Sequence, residues 1–189
     1  MRRARFETIK RSVRKTALWI GCLALLMPPG IAFVQEPDFR SLETFRPENL
    51  YVRHAGFLGR IGEPKTEVDA RDASFRIVPG LADKNCISFE ATNVRDHYFK
   101  HAFSRVVLAK RLDEKKFRED ATFCIVPGLH KTARAGTGSV SFRSFNFPDR
   151  YIRHRDLELW LDPFENKAQY RDDATFFMVQ PAAPAVATE

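Results

Sequence analysis

The chain has 189 residues, a formal net charge of +7 and an apolar share of 44%, an ordinary globular composition that suits one domain. Seven basic residues and one acid, Glu7, fall in residues 1–32, so the remainder, with 24 basic and 23 acidic residues, is almost neutral. A neutral body without a basic stripe is a poor partner for phosphate backbones, which excludes nucleic acid as the expected ligand.

The N-terminal charge precedes an apolar run of eleven residues, Ala17–Met27, which Pro28-Pro29-Gly30 ends. Eleven apolar residues are too few to span a bilayer but suit the core of a secretion signal. Gly30-Ile31-Ala32 supplies small residues where a cleavage site needs them, so residues 1–32 are expected to be a signal for export. The competing expectation is an uncleaved membrane anchor over residues 16–34. Beyond the signal remain two cysteines, Cys86 and Cys124. An oxidising compartment permits a disulfide between them, and two half-buried thiols remain the alternative. Neither has the spacing of a zinc site, and neither a metal nor a cofactor is expected.

Three segments of the chain then repeat, over residues 41–81, 87–129 and 140–179. Each opens on a strand-like stretch, continues with Tyr-x-Arg/Lys-His and ends with Asp-Ala-Ser/Thr-Phe. The histidines are His54, His101 and His154; the aspartates are Asp72, Asp120 and Asp173, at separations of 18, 19 and 19 residues. Within each repeat the apolar period is two. Phe75 and Ile77 share a face, as do Phe123 and Ile125, then Leu157, Leu159 and Leu161, then Phe176 and Met178. Such alternation predicts half-buried strands, several per repeat, with no helix beyond a short turn near Leu112–Phe117. The small-residue run 131–138 reads as a linker, and residues 181–189, without periodicity, read as a disordered tail.

The phrase Ser141-Phe142-Arg143-Ser144-Phe145-Asn146-Phe147-Pro148-Asp149-Arg150-Tyr151-Ile152-Arg153-His154, followed by Asp173-Ala174-Thr175-Phe176, resembles the arabinose-binding domain of α-L-arabinofuranosidase B, carbohydrate-binding module family 42. Val-Pro-Gly-Leu at residues 78–81 and 126–129 belongs to the same resemblance, which covers residues 38–180. It implies an all-β protein, a β-trefoil of three repeats of four strands with pseudo-threefold symmetry and one shallow pocket per repeat. It also implies binding of arabinofuranose side chains of arabinoxylan or arabinan through the histidine and aspartate of each repeat. Asp149, where that family often has glycine, and Lys100, in place of arginine, depart from the pattern.

A polar pair kept at one separation three times asks for more than packing. A purely structural role, in which each aspartate accepts backbone amides at a strand entry or orients its histidine, is the duller reading; three matched pairs together with the resemblance favour ligand binding. A carboxylate accepts from sugar hydroxyls and an imidazole nitrogen can donate or accept. Tyr51, Tyr98 and Tyr151 join the candidate contacts, although an offset of three from the histidine on a flat strand turns them to the opposite face. Arg53, Lys100 and Arg153 alternate away from the histidines and are expected in solvent. Asn146 reads as a turn former. The third repeat, the closest to the pattern, is expected to bind best.

No catalytic residue is assigned. Glycoside hydrolysis usually needs two carboxylates about 5–10 Å apart across one bond, and each repeat owns only one of the aspartates. The expected function is therefore a secreted, monomeric, non-catalytic binder of arabinose-containing polysaccharide, working beside a separate glycoside hydrolase. The alternatives are an α-L-arabinofuranosidase acting in arabinose metabolism, or its accessory subunit, and a trefoil reused for protein or other glycan recognition.

Overall fold

The computed structural model describes residues 38–130 and 138–183. The expected signal, most of the linker and residues 184–189 lie outside them. The described chain is all-β, as the alternation predicts, with the order strand–strand–strand–helix–strand running three times. The first unit holds β1 (Asp38–Thr44), β2 (Tyr51–Ala55), β3 (Leu58–Gly62), α1 (Glu67–Asp72) and β4 (Phe75–Pro79). The second holds β5 (Ile87–Ala91), β6 (His97–Ala102), β7 (Arg105–Lys110), α2 (Lys115–Asp120) and β8 (Phe123–Pro127). The third holds β9 (Ser139–Ser144), β10 (Arg150–Arg155), β11 (Glu158–Pro163), α3 (Ala168–Asp173) and β12 (Phe176–Val179).

Six strands pair antiparallel in a closed cycle: β1 with β4, β4 with β5, β5 with β8, β8 with β9, β9 with β12, and β12 back to β1. The other six form hairpins β2–β3, β6–β7 and β10–β11, which pair with one another through β3, β7 and β11. Closure leaves no row of unpaired amides along this cycle to recruit another chain.

The period of two explains the core. Phe75, Phe123 and Phe176 open β4, β8 and β12 and are fully buried. Leu42, Phe89 and Phe142 come from the first strand of each unit, and Val52, Phe99 and Ile152 from the second. Val106 and Leu159 meet at Gly59, where an added Cβ would lie 3.1 Å from the Val106 carbonyl oxygen. There the three hairpins approach so closely that a third side chain would require its neighbours to give by a few tenths of an ångström. Leu157 departs from its expected face: it sits in the β10–β11 turn at φ 61, exposed, while Leu159 and Leu161 point inward.

A second set of equivalences is polar and buried. Ser41, Ser88 and Ser141 donate to the carbonyls of Ala73, Ala121 and Ala174 at 2.7, 2.6 and 2.6 Å. Each serine oxygen also accepts a backbone amide, from Ala182, Leu81 and Leu129 in turn. The amides of Ala183, Ala82 and His130 likewise bond Ser74, Thr122 and Thr175. Leu81-Ala82 and Leu129-His130 end the Val-Pro-Gly-Leu stretches, so Ala182-Ala183 performs the same task for the third unit. Residues 181–183, read from sequence as the start of a disordered tail, thus hold the last unit against the first. Only residues 184–189 of that stretch remain undescribed.

The helices correct the expectation of strands throughout. Each has six residues and ends at the repeated aspartate. The turn foreseen near Leu112–Phe117 is α2, displaced toward the C-terminus. Six residues make fewer than two helical turns, too few for a period of 3.6 to declare itself.

Candidate functional site

Each histidine lies next to the end of the first hairpin strand of its unit, just before a two-residue turn. The turns are Gly56-Phe57, Phe103-Ser104 and Asp156-Leu157, and all six residues have positive φ, between 47° and 64°. This is the left-handed pair that matches the twist of a hairpin. Five of the six are not glycine, at a cost of about 1–2 kcal/mol each. Phe57, Phe103 and Leu157 are also exposed, so core packing does not explain them.

The aspartate arrives from the C-terminal end of the helix, where backbone carbonyls disfavour a carboxylate. It is buried in every unit and has compensating donors. His54 Nε2 lies 3.3 Å from Asp72 Oδ1, His101 Nε2 lies 3.1 Å from Asp120 Oδ1, and His154 Nε2 lies 3.9 Å from Asp173 Oδ1. All three pairs predicted from spacing are therefore brought together.

Residues that the sequence reading set aside complete the pairs. Arg53 Nη2 bonds Asp72 at 3.2 Å, Lys100 Nζ bonds Asp120 at 3.1 Å, and Arg153 Nη2 bonds Asp173 at 3.0 Å. These cations were expected in solvent, but α1, α2 and α3 pack over β2, β6 and β10 and cover that face. Two of the three tyrosines pack on the same side. Tyr98 clusters with Phe117 of α2 and Ala121, which follows that helix, and Tyr151 meets Phe164, which in turn meets Tyr170 of α3. Tyr98 and Tyr151 line neither of the hollows described below.

Asn146 is more than a turn former. Its Nδ2 donates to Asp120 at 2.9 Å, and its Oδ1 accepts from His101 at 3.0 Å. Asn93 does the same between His54, at 3.0 Å, and Asp72, at 2.7 Å. Both asparagines stand five residues before the tyrosine of the following unit, so each site is bridged by its neighbour. That shared offset was the available signal. The third site takes its bridge from the first unit, where Arg46 replaces asparagine: His154 Nε2 donates to the Arg46 carbonyl at 2.7 Å. Gln169 then supplies the amide, donating to Asp173 Oδ1 at 2.8 Å.

The second and third sites differ electrically. Burial opposes ionisation of Asp120, but bonds from Lys116, Lys100 and Asn146 and the charge of His101 hold its carboxyl below the ordinary range. Asp173 is raised by burial, which His154, Gln169 and Arg153 offset only in part. Burial lowers both His101 and His154. Imidazoles that resist protonation when folded stabilise the protein above about pH 6.5, and this is lost as pH falls because the unfolded chain takes up protons first. Asp120 acts in the same direction at lower pH; Asp173, raised, acts oppositely, its contribution fading as pH rises. The urea midpoint is therefore expected to fall between pH 7 and pH 5.5, each histidine contributing at most about 1.4 kcal/mol per pH unit. His101→Gln should flatten part of this slope; an unchanged slope would remove His101 from the account.

A hollow of about 540 Å³ opens at the third pair, with Arg46, Pro47, Leu157, Gln169 and Asp172 among its walls. One of about 330 Å³ opens at the second, walled by Phe103, Ser104, Lys116, Phe147 and Arg150 around His101 and Asp120. Among the described residues no cluster of three or more histidine, cysteine, aspartate or glutamate side chains could hold a metal ion.

An arabinofuranosidase/β-xylosidase of Trichoderma koningii is 35% identical over 135 residues, covering 67% of this chain and 26% of that protein. An anti-sigma-I factor of Acetivibrio thermocellus is 43% identical over 82 residues, covering 43% of this chain and 17% of that protein. A crystal structure of an arabinofuranosidase complexed with arabinofuranosyl-α-1,2-xylobiose superposes with a TM-score of 0.69 at 25% identity, over 79% of this chain and 32% of that one. The chain thus spans about a quarter of the length of the first curated relatives, 26% in each case. The model of the alpha-L-arabinofuranosidase B (ABFB) domain matches residues 40–178, and the chain belongs to that family.

Proposed function

We propose that the protein is a secreted, non-catalytic carbohydrate-binding domain that holds arabinofuranose side chains of arabinoxylan or arabinan at its histidine–aspartate pairs. The observation that carries this reading is the third site: an imidazole and a carboxylate at the wall of an open hollow, with acceptor capacity to spare. Asp173 receives Gln169 on Oδ1 and Arg153 on Oδ2. Each carboxylate oxygen has two lone-pair directions, so both can accept a sugar hydroxyl as well. The name of the family and the glycan in the related complex favour arabinofuranose as that sugar.

The closed six-strand cycle with three linked hairpins supports a β-trefoil with approximate threefold symmetry. Distribution of the three aspartates over three units supports binding without turnover. The basic and apolar N-terminus and the bond between Cys86 and Cys124 suit an exported protein. A separate hydrolase would then act on the polymer that this domain retains.

Retention on insoluble arabinoxylan tests the reading, with arabinose release measured in the same samples. Asp173→Ala should weaken retention about tenfold to a hundredfold, the loss of one or two charge-assisted bonds. Asp173→Asn, closer in shape, guards against a folding defect. Unchanged retention in both would remove Asp173 from the site, and steady release of arabinose would replace the binder with an enzyme.

A further inference from the structure

The hollow at His101 and Asp120 carries an excess of positive charge. Its walls hold Lys100, Lys116 and Arg150 against one carboxylate, Asp120. The hollow at His154 and Asp173 is balanced: Arg46, Arg153 and Arg155 face Asp156, Asp172 and Asp173. The difference lies in particular residues. Lys116, the second residue of α2, corresponds to Val68 in α1 and Gln169 in α3. Arg150, just before its tyrosine, corresponds to Leu50 and His97.

Neither added cation has a carboxylate to itself among the described residues. Lys116 Nζ and Lys100 Nζ share the single oxygen Oδ2 of Asp120, at 2.9 and 3.1 Å, and the Lys116 side chain is 78% exposed. Arg150 has no carboxylate partner among the described residues. Its Nη1 donates to Ser104 Oγ at 3.2 Å, its Nε has no hydrogen-bond partner, and its guanidinium lies 5.0 Å from the centre of the Phe147 ring. Phe147 and the wholly exposed Phe103 add two apolar faces to the same hollow. Asp120, already carrying Lys100, Lys116 and Asn146, has less room for hydroxyls than Asp173 has.

We propose that this second hollow selects an acidic sugar, a uronic acid residue whose carboxylate sits between Lys116 and Arg150 and whose ring lies against Phe103 and Phe147. The inference rests on the carbohydrate-binding reading and divides the sites by charge: neutral sugar at the third, anionic sugar at the second. Lys116 exchanges its share of Asp120 for the ligand carboxylate and frees Oδ2 for a hydroxyl.

The test uses the full chain and a uronic acid-bearing arabino-oligosaccharide, paired with the same oligosaccharide after reduction of its carboxyl to an alcohol. Affinities come from calorimetry, and the site from amide shifts of residues 100–104 by NMR. The acid form should bind the second hollow about tenfold more tightly than the reduced form. That ratio should fall to about one in Lys116→Gln/Arg150→Gln, and shrink in about 0.5 M salt, where screening reaches only a few ångström. Equal affinities in the parent chain, or a ratio that survives the double variant, would overturn the inference while leaving neutral-sugar binding intact. If neither form binds, the carbohydrate reading fails and this assignment with it.

Discussion

Phe142→Ala is expected to lower the free energy of unfolding by about 3–5 kcal/mol, the range for truncating a fully buried phenylalanine. Phe142 is inaccessible to solvent and sits where the units meet. Its ring stands edge-on to Phe89 at 5.0 Å and lies 5.8 Å from Phe176. Phe89 in turn touches Phe75 and Phe123. These neighbours stand on strands of all three units and are held in the closed cycle, so they cannot easily collapse into the gap. Domains of this size have about 5–15 kcal/mol in total, which puts the variant close to unfolding. A urea titration measures the loss, and Phe142→Leu should fall between the two. A loss below about 1.5 kcal/mol would mean that the core repacks freely and that the aromatic network is not a fixed one.

Removing the disulfide by Cys86→Ala and Cys124→Ala together should cost about 4 kcal/mol. The two Cα atoms are 4.3 Å apart and the residues are separated by 38 positions. Closing a loop of that length in the unfolded chain accounts for the figure in the chain-entropy treatment. The bond joins the residue before β5 to the second residue of β8, beside the pairing of Ile87 with Phe123. It therefore staples the second unit alone, and its loss should leave the other two units' hydrogen bonds in place. Alanine is the better replacement because Cys86 is buried and a serine hydroxyl would need a partner there. Equal stability of the parent and the double variant would show that the unfolded chain was already constrained.

What the sequence disclosed followed the chemistry of side chains. Phe75, Phe123 and Phe176 announced inward faces, and the three histidine–aspartate separations announced three meetings. What it concealed ran through the main chain or through the short helices. The Arg46 carbonyl that receives His154, and the amides of Ala182 and Ala183, act through atoms common to every residue, so no side-chain pattern marks them. Arg53, Lys100 and Arg153 were misplaced for one reason: strand parity turns them away from the core, and only the short helices, of which the sequence showed no more than one turn near Leu112–Phe117, give that side a roof.

The borrowing of Asn93 and Asn146 across repeat boundaries has a consequence for how such a chain can be divided. The first or second repeat cut from the protein would own an imidazole and a carboxylate with nothing to span them, because the amide belongs to the next segment along. Damage to one segment accordingly spreads backward, disabling its own cavity and the one before it. Conversely, three separate copies of the second or of the third segment, which own Asn93 and Asn146, would restore the missing amide at every seam when they meet head to tail, so self-association could regain what excision removes.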